Sequence, residues 1–187
     1  MKIMLFGGSF DPPHLGHQEM VKRVLQLNLA NQVCYVPCAK HPFAKNLLAS
    51  KDRLAMLKLI QTTNTKVEDC ELNSTGPSYS IITLQCLQKK YPQYQFSWLI
   101  GSDQLADFTK WKDYQTLLKN WSVYVYPRYN CPIKPLLPNM KVIANVPTIK
   151  YKSSQIRSLI KNNKSIIKLV DPQIAQYISK HHLYENS

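Results

Sequence analysis

The sequence has no apolar run approaching the roughly 20 residues that a membrane-crossing helix needs, so a membrane partner is not expected. Its opening stretch, Met1-Lys2-Ile3-Met4-Leu5-Phe6, is apolar but runs straight into Gly7-Gly8. It reads as a buried strand, because a secretory signal needs a longer apolar core and a cleavage site. Metal-ligand spacing is also missing. Cys34, Cys38, Cys70, Cys86 and Cys131 are scattered, and the Cys34/Cys38 pair has no second Cys or His pair behind it, which argues against zinc. Free thiols in a reducing cytoplasm are the expectation. Acidic residues are scarce: 11 Asp and Glu against 24 Lys and Arg leave a formal charge of +13 at pH 7. That imbalance calls for an anionic partner, whether nucleic acid, membrane surface or polyphosphate. It does not choose among them, since the densest clusters (Lys150, Lys152, Arg157 and Lys161, Lys164, Lys168) are interleaved with apolar residues. No internal repeat and no low-complexity linker interrupts the chain. Its 187 residues, 44% of them hydrophobic, suffice for one domain over 1–187 with a sizeable core.

What is present alternates. Short apolar, β-branched or aromatic runs at 3–6, 33–36, 96–100, 123–126 and 142–146 read as buried strands, with a weaker, more polar candidate at 66–72. Between them lie helix-like stretches at 16–28, 52–61, 80–90 and 113–119. The first sets Met20, Val24 and Leu27 on one face, and the second Leu54, Leu57 and Ile60. Residues 126–138 carry four prolines and read as an irregular loop. Helices at 153–162 and 172–181 follow as a short closure. Alternating strands and helices predict an α/β fold: a Rossmann-like, doubly wound parallel sheet with helices on both faces and a short C-terminal helical closure.

The chemistry concentrates in the first loop, Gly7-Gly8-Ser9-Phe10-Asp11-Pro12-Pro13-His14-Leu15-Gly16-His17. The glycines follow the first strand directly, with a helix starting near Pro13 or His14. Ligands of doubly wound folds bind at such a junction, outside a strand's carboxyl end and against a helix N-terminus. Gly7 and Gly8 are expected to allow a tight turn and a close ligand approach. His14 and His17, three apart, share one face of the first helical turn. Gly16 would leave room between them for a phosphate. Two imidazoles at the positive end of a helix suit a polyphosphate better than a metal. The segment is not G-x-G-x-x-G, nor does it end in the Gly-Lys-Ser/Thr of a P-loop.

The segment resembles the signature G-G-x-F-D-P-x-H-x-G-H of the adenylyltransferases, closest to the nicotinate-mononucleotide adenylyltransferase family. The likeness extends along the chain. Gly76-Pro77-Ser78-Tyr79-Ser80 with Thr83-Leu84 resembles G-P-S-Y-T-x-x-T-L. Leu99-Ile100-Gly101-Ser102-Asp103 with Trp111 resembles I-I-G-x-D…W. Ser153-Ser154-Gln155-Ile156-Arg157 resembles S-S-T-x-I-R, and Tyr177…Leu183-Tyr184 the closing Y-x-x-x-x-x-L-Y. The resemblance implies transfer of AMP from ATP to nicotinic acid mononucleotide, with Mg²⁺ carried by the ATP and pyrophosphate released. It implies His14, His17 and Arg157 as catalytic residues. Gly7, Gly8, Ser9, Phe10, Gly16, Lys45, Gly101, Asp103, Ser153, Ser154 and Ile156 would bind ATP, and Tyr79, Thr83 and Trp111 the acceptor. Such a reaction needs no general base, because the attacking phosphate is already an anion. The absence of a Ser-His-Asp or paired-carboxylate constellation is therefore no obstacle.

Physical reasoning supports parts of this assignment independently. Ser153 or Ser154 can cap a helix whose N–H groups face a phosphate, and Arg157 adds a forked donor one turn in. Asp103, just past a strand end, suits ribose hydroxyls or a helix cap. Trp111 suits ring stacking or core packing. Four departures from the family pattern stand out. The usual Lys after the second strand has two candidates, Lys40 and Lys45, with Lys45 favoured and Arg53 in support. Gln155 replaces Thr, Ser102 replaces Ala, and Lys112 replaces Tyr. Alternatives are a nicotinamide, phosphopantetheine or cytidylyl variant of the same reaction, a basic nucleic-acid-binding protein reading through Tyr124, Tyr126 and Arg128, and an inactive nucleotide-binding module.

Overall fold

A computed structural model describes residues 1–40, 46–72 and 76–185. Six parallel strands form one sheet in the order β3-β2-β1-β4-β5-β6. They are β1 (Lys2–Gly8), β2 (Gln32–Pro37), β3 (Thr65–Val67), β4 (Gln95–Gly101), β5 (Ser122–Tyr126) and β6 (Met140–Val142). The helices are α1 (Leu15–Gln26), α2 (Ser50–Leu59), α3 (Ser80–Lys90), α4 (Tyr114–Asn120), α5 (Ser153–Lys161) and α6 (Pro172–Lys180), with a 3-10 helix at Ser102–Lys110.

Strand alternation sorts the core into two layers. Met4 and Phe6 of β1 face α1, α2, α5 and α6, where Met20, Val24, Met56, Ile156, Ile174 and Ile178 bury their side chains. Ile3 and Leu5 face the other way, onto Ile81, Leu84 and Leu87 of α3 and Phe108 and Leu117 beyond. Both faces are thus covered, as an all-parallel sheet requires. The two closing helices complete the α1 layer.

Two strand expectations shift. The run at 66–72 forms a strand only at Thr65–Val67, and Cys70–Leu72 turn away. The last strand is Met140–Val142, not 142–146. Asn139 and Asn145, both at positive φ, bracket that segment, and Asn145 bends the chain off the sheet after the buried Ile143. The helix faces also differ in detail. Leu27 is exposed, and Val21 takes its place beside Met20 and Val24.

Candidate active site

The strand order reverses between β1 and β4, and a cleft of about 800 Å³ lies over their C-terminal ends. The first loop lines it with Gly7, Gly8, Ser9, Phe10, His14 and His17, and the end of β4 with Gly101 and Asp103. Ser153, Ser154 and Arg157 line it from the start of α5, and Tyr79 and Trp111 from the α3 side of the sheet. Gly16, Thr83 and Ile156 are not part of its lining. Lys45 lies outside the described residues.

The glycines do not act by conformational freedom, because neither has a positive φ. The left-handed residue of this loop is Phe10, at φ 48°. Gly7 is small because the indole of Trp98 on β4 lies against its α-carbon, where a methyl would collide with the ring. Phe10 is buried and meets the rings of Phe6, Tyr35 and His17 edge-on, with centroids 5.5, 5.6 and 5.0 Å away. Gly16 leaves no phosphate-sized gap. A Cβ there would lie 2.6 Å from Ile149 Cγ2 and 3.0 Å from the His14 ring, so its smallness seats those groups instead.

His14 occupies the N-cap position of α1, and its imidazole stacks on that of His17 at 3.7 Å. The His14 N–H donates to His17 Nδ1 at 3.1 Å. That bond leaves the His17 proton on Nε2, the tautomer consistent with a donor to a ligand. Burial, with the neighbouring Arg128 guanidinium, pulls the His14 pKa down to about 3. Burial first, and then His14 and Arg128, hold His17 well below its ordinary value. The pair is therefore neutral near pH 7 and acts through N–H donors rather than as two cations. His14 Nδ1 is buried with no hydrogen-bond partner among the described residues.

The start of α5 is tied to the same loop. Ser153 Oγ donates to Pro12 O at 3.0 Å, and Arg157 Nη1 to Asp11 O at 2.6 Å. Neither serine caps the helix: Lys152 holds the N-cap position without a side-chain cap bond. The first-turn N–H groups are thus left without a side-chain acceptor. Ile156 is a core residue whose N–H donates to Lys152 O, so neither its side chain nor its amide reaches the cleft. Gln155 lines a separate cavity with Gln18 and Asp171, so it makes no substitute for the Thr contact of the family pattern. Asp11 is buried; its carboxylate accepts from Tyr184 Oη at 2.8 Å and lies 3.8 Å from Arg157 Nη1.

Arg53, expected in support of Lys45, is fully buried and lies outside the cleft lining. Its guanidinium donates to Ser9 O at 2.8 Å, Cys38 O at 2.7 Å and Leu48 O at 2.9 Å. It therefore fixes the first loop against the end of β2. Lys40 offers its carbonyl to the Ser78 N–H at 3.1 Å, which joins the chain after β2 to the segment before α3.

On the α3 side, Asp103 lies 3.6 Å from Arg128 Nε and is not a cap, since Gly101 holds that position. Ser102, the departure from Ala, accepts from the Arg128 N–H at 2.9 Å and donates to Cys131 O at 3.1 Å. Trp111 stacks on Phe108 at 4.8 Å while lining the cleft, so packing and exposure to a ligand coexist. Tyr79 stands at the N-cap of α3 without a side-chain cap bond. Thr83 is buried and donates its hydroxyl to Glu71, a buried carboxyl that lines the cleft. Thr83 thus reaches the site through Glu71 rather than directly. Burial pushes the Glu71 carboxyl up, partly opposed by hydrogen bonds from Thr83 and Ser78.

A family model described as cytidylyltransferase-like matches residues 5–159. A protein of Cytophaga hutchinsonii named "Probable nicotinate-nucleotide adenylyltransferase" is 36% identical over 192 residues, covering all of both chains. The chain belongs to the nicotinate-nucleotide adenylyltransferase family. A Flavobacterium johnsoniae member is 34% identical over 99% of this chain and 100% of its own. A solved structure, Plasmodium falciparum nicotinic acid mononucleotide adenylyltransferase complexed with NaAD, superposes at a TM-score of 0.86. It covers 100% of this chain and 98% of its own at 23% identity, a likeness of fold.

In this nicotinate-nucleotide adenylyltransferase family member, the roles of Arg128, Trp98, Glu71 and Arg53 at the cleft do not follow from the sequence. Arg128 lines the cleft two residues past β5 and donates to Tyr151 O at 2.7 Å. The end of a parallel strand is where ligand contacts gather, and that position was the available signal. Trp98 and Glu71 carried none, because one lies mid-strand and the other in a polar turn. The buried, loop-holding role of Arg53 was hidden too, since a helix residue of that type reads as solvated. The aromatic–basic strand face imagined for nucleic acid is a packed one: Tyr126 is fully buried and Tyr124 packs on the α1-side core.

Proposed function

We propose that the chain transfers AMP from ATP to nicotinic acid mononucleotide, releasing pyrophosphate and forming deamido-NAD for NAD biosynthesis. One observation supports this reading above the rest. The neutral His14–His17 donor pair, the uncapped start of α5 and Arg157 converge on one cleft that also reaches Tyr79 and Trp111.

An oxygen of the mononucleotide's 5′-phosphate attacks the α-phosphorus of ATP. The new O–P bond forms as the bond to pyrophosphate breaks, and the electron pair leaves with pyrophosphate. The nucleophile needs no base, so the protein's work is alignment and stabilisation of developing charge. His17 Nε2–H and His14 donate to phosphate oxygens, and the backbone of Gly7, Gly8, Ser9 and Phe10 approaches the nucleotide. The N–H groups at Ser153 and Ser154 receive phosphate at a helix N-terminus, where the dipole favours an anion. Arg157 turns its fork from the Asp11 carbonyl towards the same anion. Gly101 and Asp103 meet the ribose, Lys45 the triphosphate, and Tyr79 and Trp111 flank the pyridine ring. Among the described residues no group of three or more His, Cys, Asp or Glu could hold a metal. Mg²⁺ enters with ATP as part of the substrate and offsets its charge. The free cysteines support a reducing, cytoplasmic setting.

Glu71 favours a second acceptor, nicotinamide mononucleotide, because a carboxylate accepts from an amide N–H. Its carboxyl already accepts from Thr83, which weakens that reading. The test is pyrophosphate release from ATP with a panel of acceptors: nicotinate and nicotinamide mononucleotides, phosphopantetheine and phosphocholine. Nicotinate mononucleotide is expected to give the highest kcat/KM. Failure of both pyridine mononucleotides to react would remove the proposal.

A further inference from the structure

We infer that the Lys112 side chain is a specificity-determining group, selecting an acidic acceptor ring over its neutral amide by charge. This rests on the acceptor reading given above. Lys112 lines the cleft beside Trp111, and its Nζ stands 4.8 Å from the centroid of the Tyr79 ring. The side chain thus reaches from the end of the 3-10 helix, next to Trp111, to the Tyr79 ring at the start of α3.

The charges around it make this cation available. Asp107 is paired with Lys110 at 2.7 Å, so that acid and base answer each other. The Glu71 carboxyl accepts from Thr83, and burial biases it towards its neutral form. Lys112 has no acidic partner among the described residues, and its ammonium lies over the face of the Tyr79 ring. A cation over an aromatic face is weakly held at an exposed site, so it can move to meet an incoming carboxylate. A carboxylate on the acceptor ring would gain a charge-assisted hydrogen bond that a carboxamide cannot match. The nearby start of α3, without a side-chain cap, adds to the positive potential.

The test compares the two pyridine mononucleotides in the wild type, Lys112→Met and Lys112→Arg, with pyrophosphate release as the readout. Lys112→Met should lower kcat/KM for nicotinate mononucleotide by about five- to tenfold, the scale of a partly exposed ion pair. It should change the nicotinamide value by less than about twofold, and Lys112→Arg should keep most of the wild-type ratio. The wild-type ratio should also shrink as salt rises. An equal change for both acceptors, or none, overturns the role of Lys112 and leaves the function standing. A wild type that turns over neither acceptor overturns both.

Discussion

At the residue scale, burial rather than charge prepares the first loop for the phosphate contacts proposed above. His14 and His17 sit stacked behind Phe10, with the His14 amide held by His17 Nδ1. A neutral donor fixed in place stabilises charge as it develops without attracting ground-state anions strongly. His17→Ala should therefore lower kcat by about 10²–10³, as steady-state kinetics on the folded variant would reveal. Activity within about threefold of wild type contradicts the assignment.

The same burial carries a pH dependence. The folded protein holds His14 neutral with a pKa of about 3, whereas an unfolded chain protonates it near 6.5. Its contribution to stability is full above pH 6.5 and is lost as pH falls towards 3. By pH 5 the loss from this residue is about 2 kcal/mol, an order-of-magnitude figure. Chemical denaturation at pH 7 and pH 5 measures it, and His14→Asn should reduce the difference while His17 keeps its own share. A stability independent of pH across that range would show that His14 is not held neutral by burial.

At the scale of elements, the site is a set of ties between loops rather than a single motif. Arg53 of α2 clamps the first loop to the end of β2, and Arg157 and Ser153 of α5 clamp it from the other direction. The C-terminal closure joins in. Tyr177 Oη donates to Asp52 at 3.0 Å, and Tyr184 Oη to the buried Asp11. Tyr184→Phe should cost roughly 1–3 kcal/mol, because it removes a donor from a buried carboxylate. A Tm lower by about 3–10 °C in calorimetry is the expected reading. An unchanged Tm would mean that Arg157 alone satisfies Asp11.

Most elements were legible in the sequence because period and punctuation agreed. The helix at Ser80–Lys90 falls where its pattern placed it, and β1, β2, β4 and β5 differ from expectation only at their ends. The misses have physical causes. The 3-10 helix Ser102–Lys110 follows a strand with a tighter repeat than the 3.6-residue pattern detects. The edge strands β3 and β6 are three residues each, too short for alternation to register. Within the site, Gly101 and Asp103 were legible at a strand end, and Tyr79, Trp111, Ser153, Ser154 and Arg157 through the motifs that carry them. Arg128, at the end of β5, belongs to no motif, and contacts between segments without one were hidden. Trp98 against Gly7, Glu71 under Thr83 and Arg53 beneath Ser9 are each created by the meeting of distant segments.

At the scale of the whole molecule, the positive balance finds its use at the cleft, where Arg128, Lys152, Arg157 and Lys112 gather over the carboxyl ends of the strands. The acidic residues among them are engaged: Asp11 by Tyr184, Asp103 by Arg128, Asp107 by Lys110. Such an arrangement steers polyanionic substrates to the site, and the rate constant for binding ATP should fall as ionic strength rises. No helix among the described residues is long and apolar enough to cross a membrane. One continuous sheet with a core layer on each face supports the proposal that residues 1–187 act as one unit. A single unfolding transition, coincident by circular dichroism and tryptophan fluorescence, is the result it predicts. Two resolved transitions would divide the chain.

The most direct measurement follows the label. ATP carrying ³²P at the α-phosphorus, incubated with the protein, Mg²⁺ and nicotinic acid mononucleotide, should place its label in the dinucleotide. ATP labelled at the γ-phosphorus should place it in pyrophosphate. Label from the γ-position on the mononucleotide, or no transfer of the α-label, would contradict adenylyl transfer at this cleft.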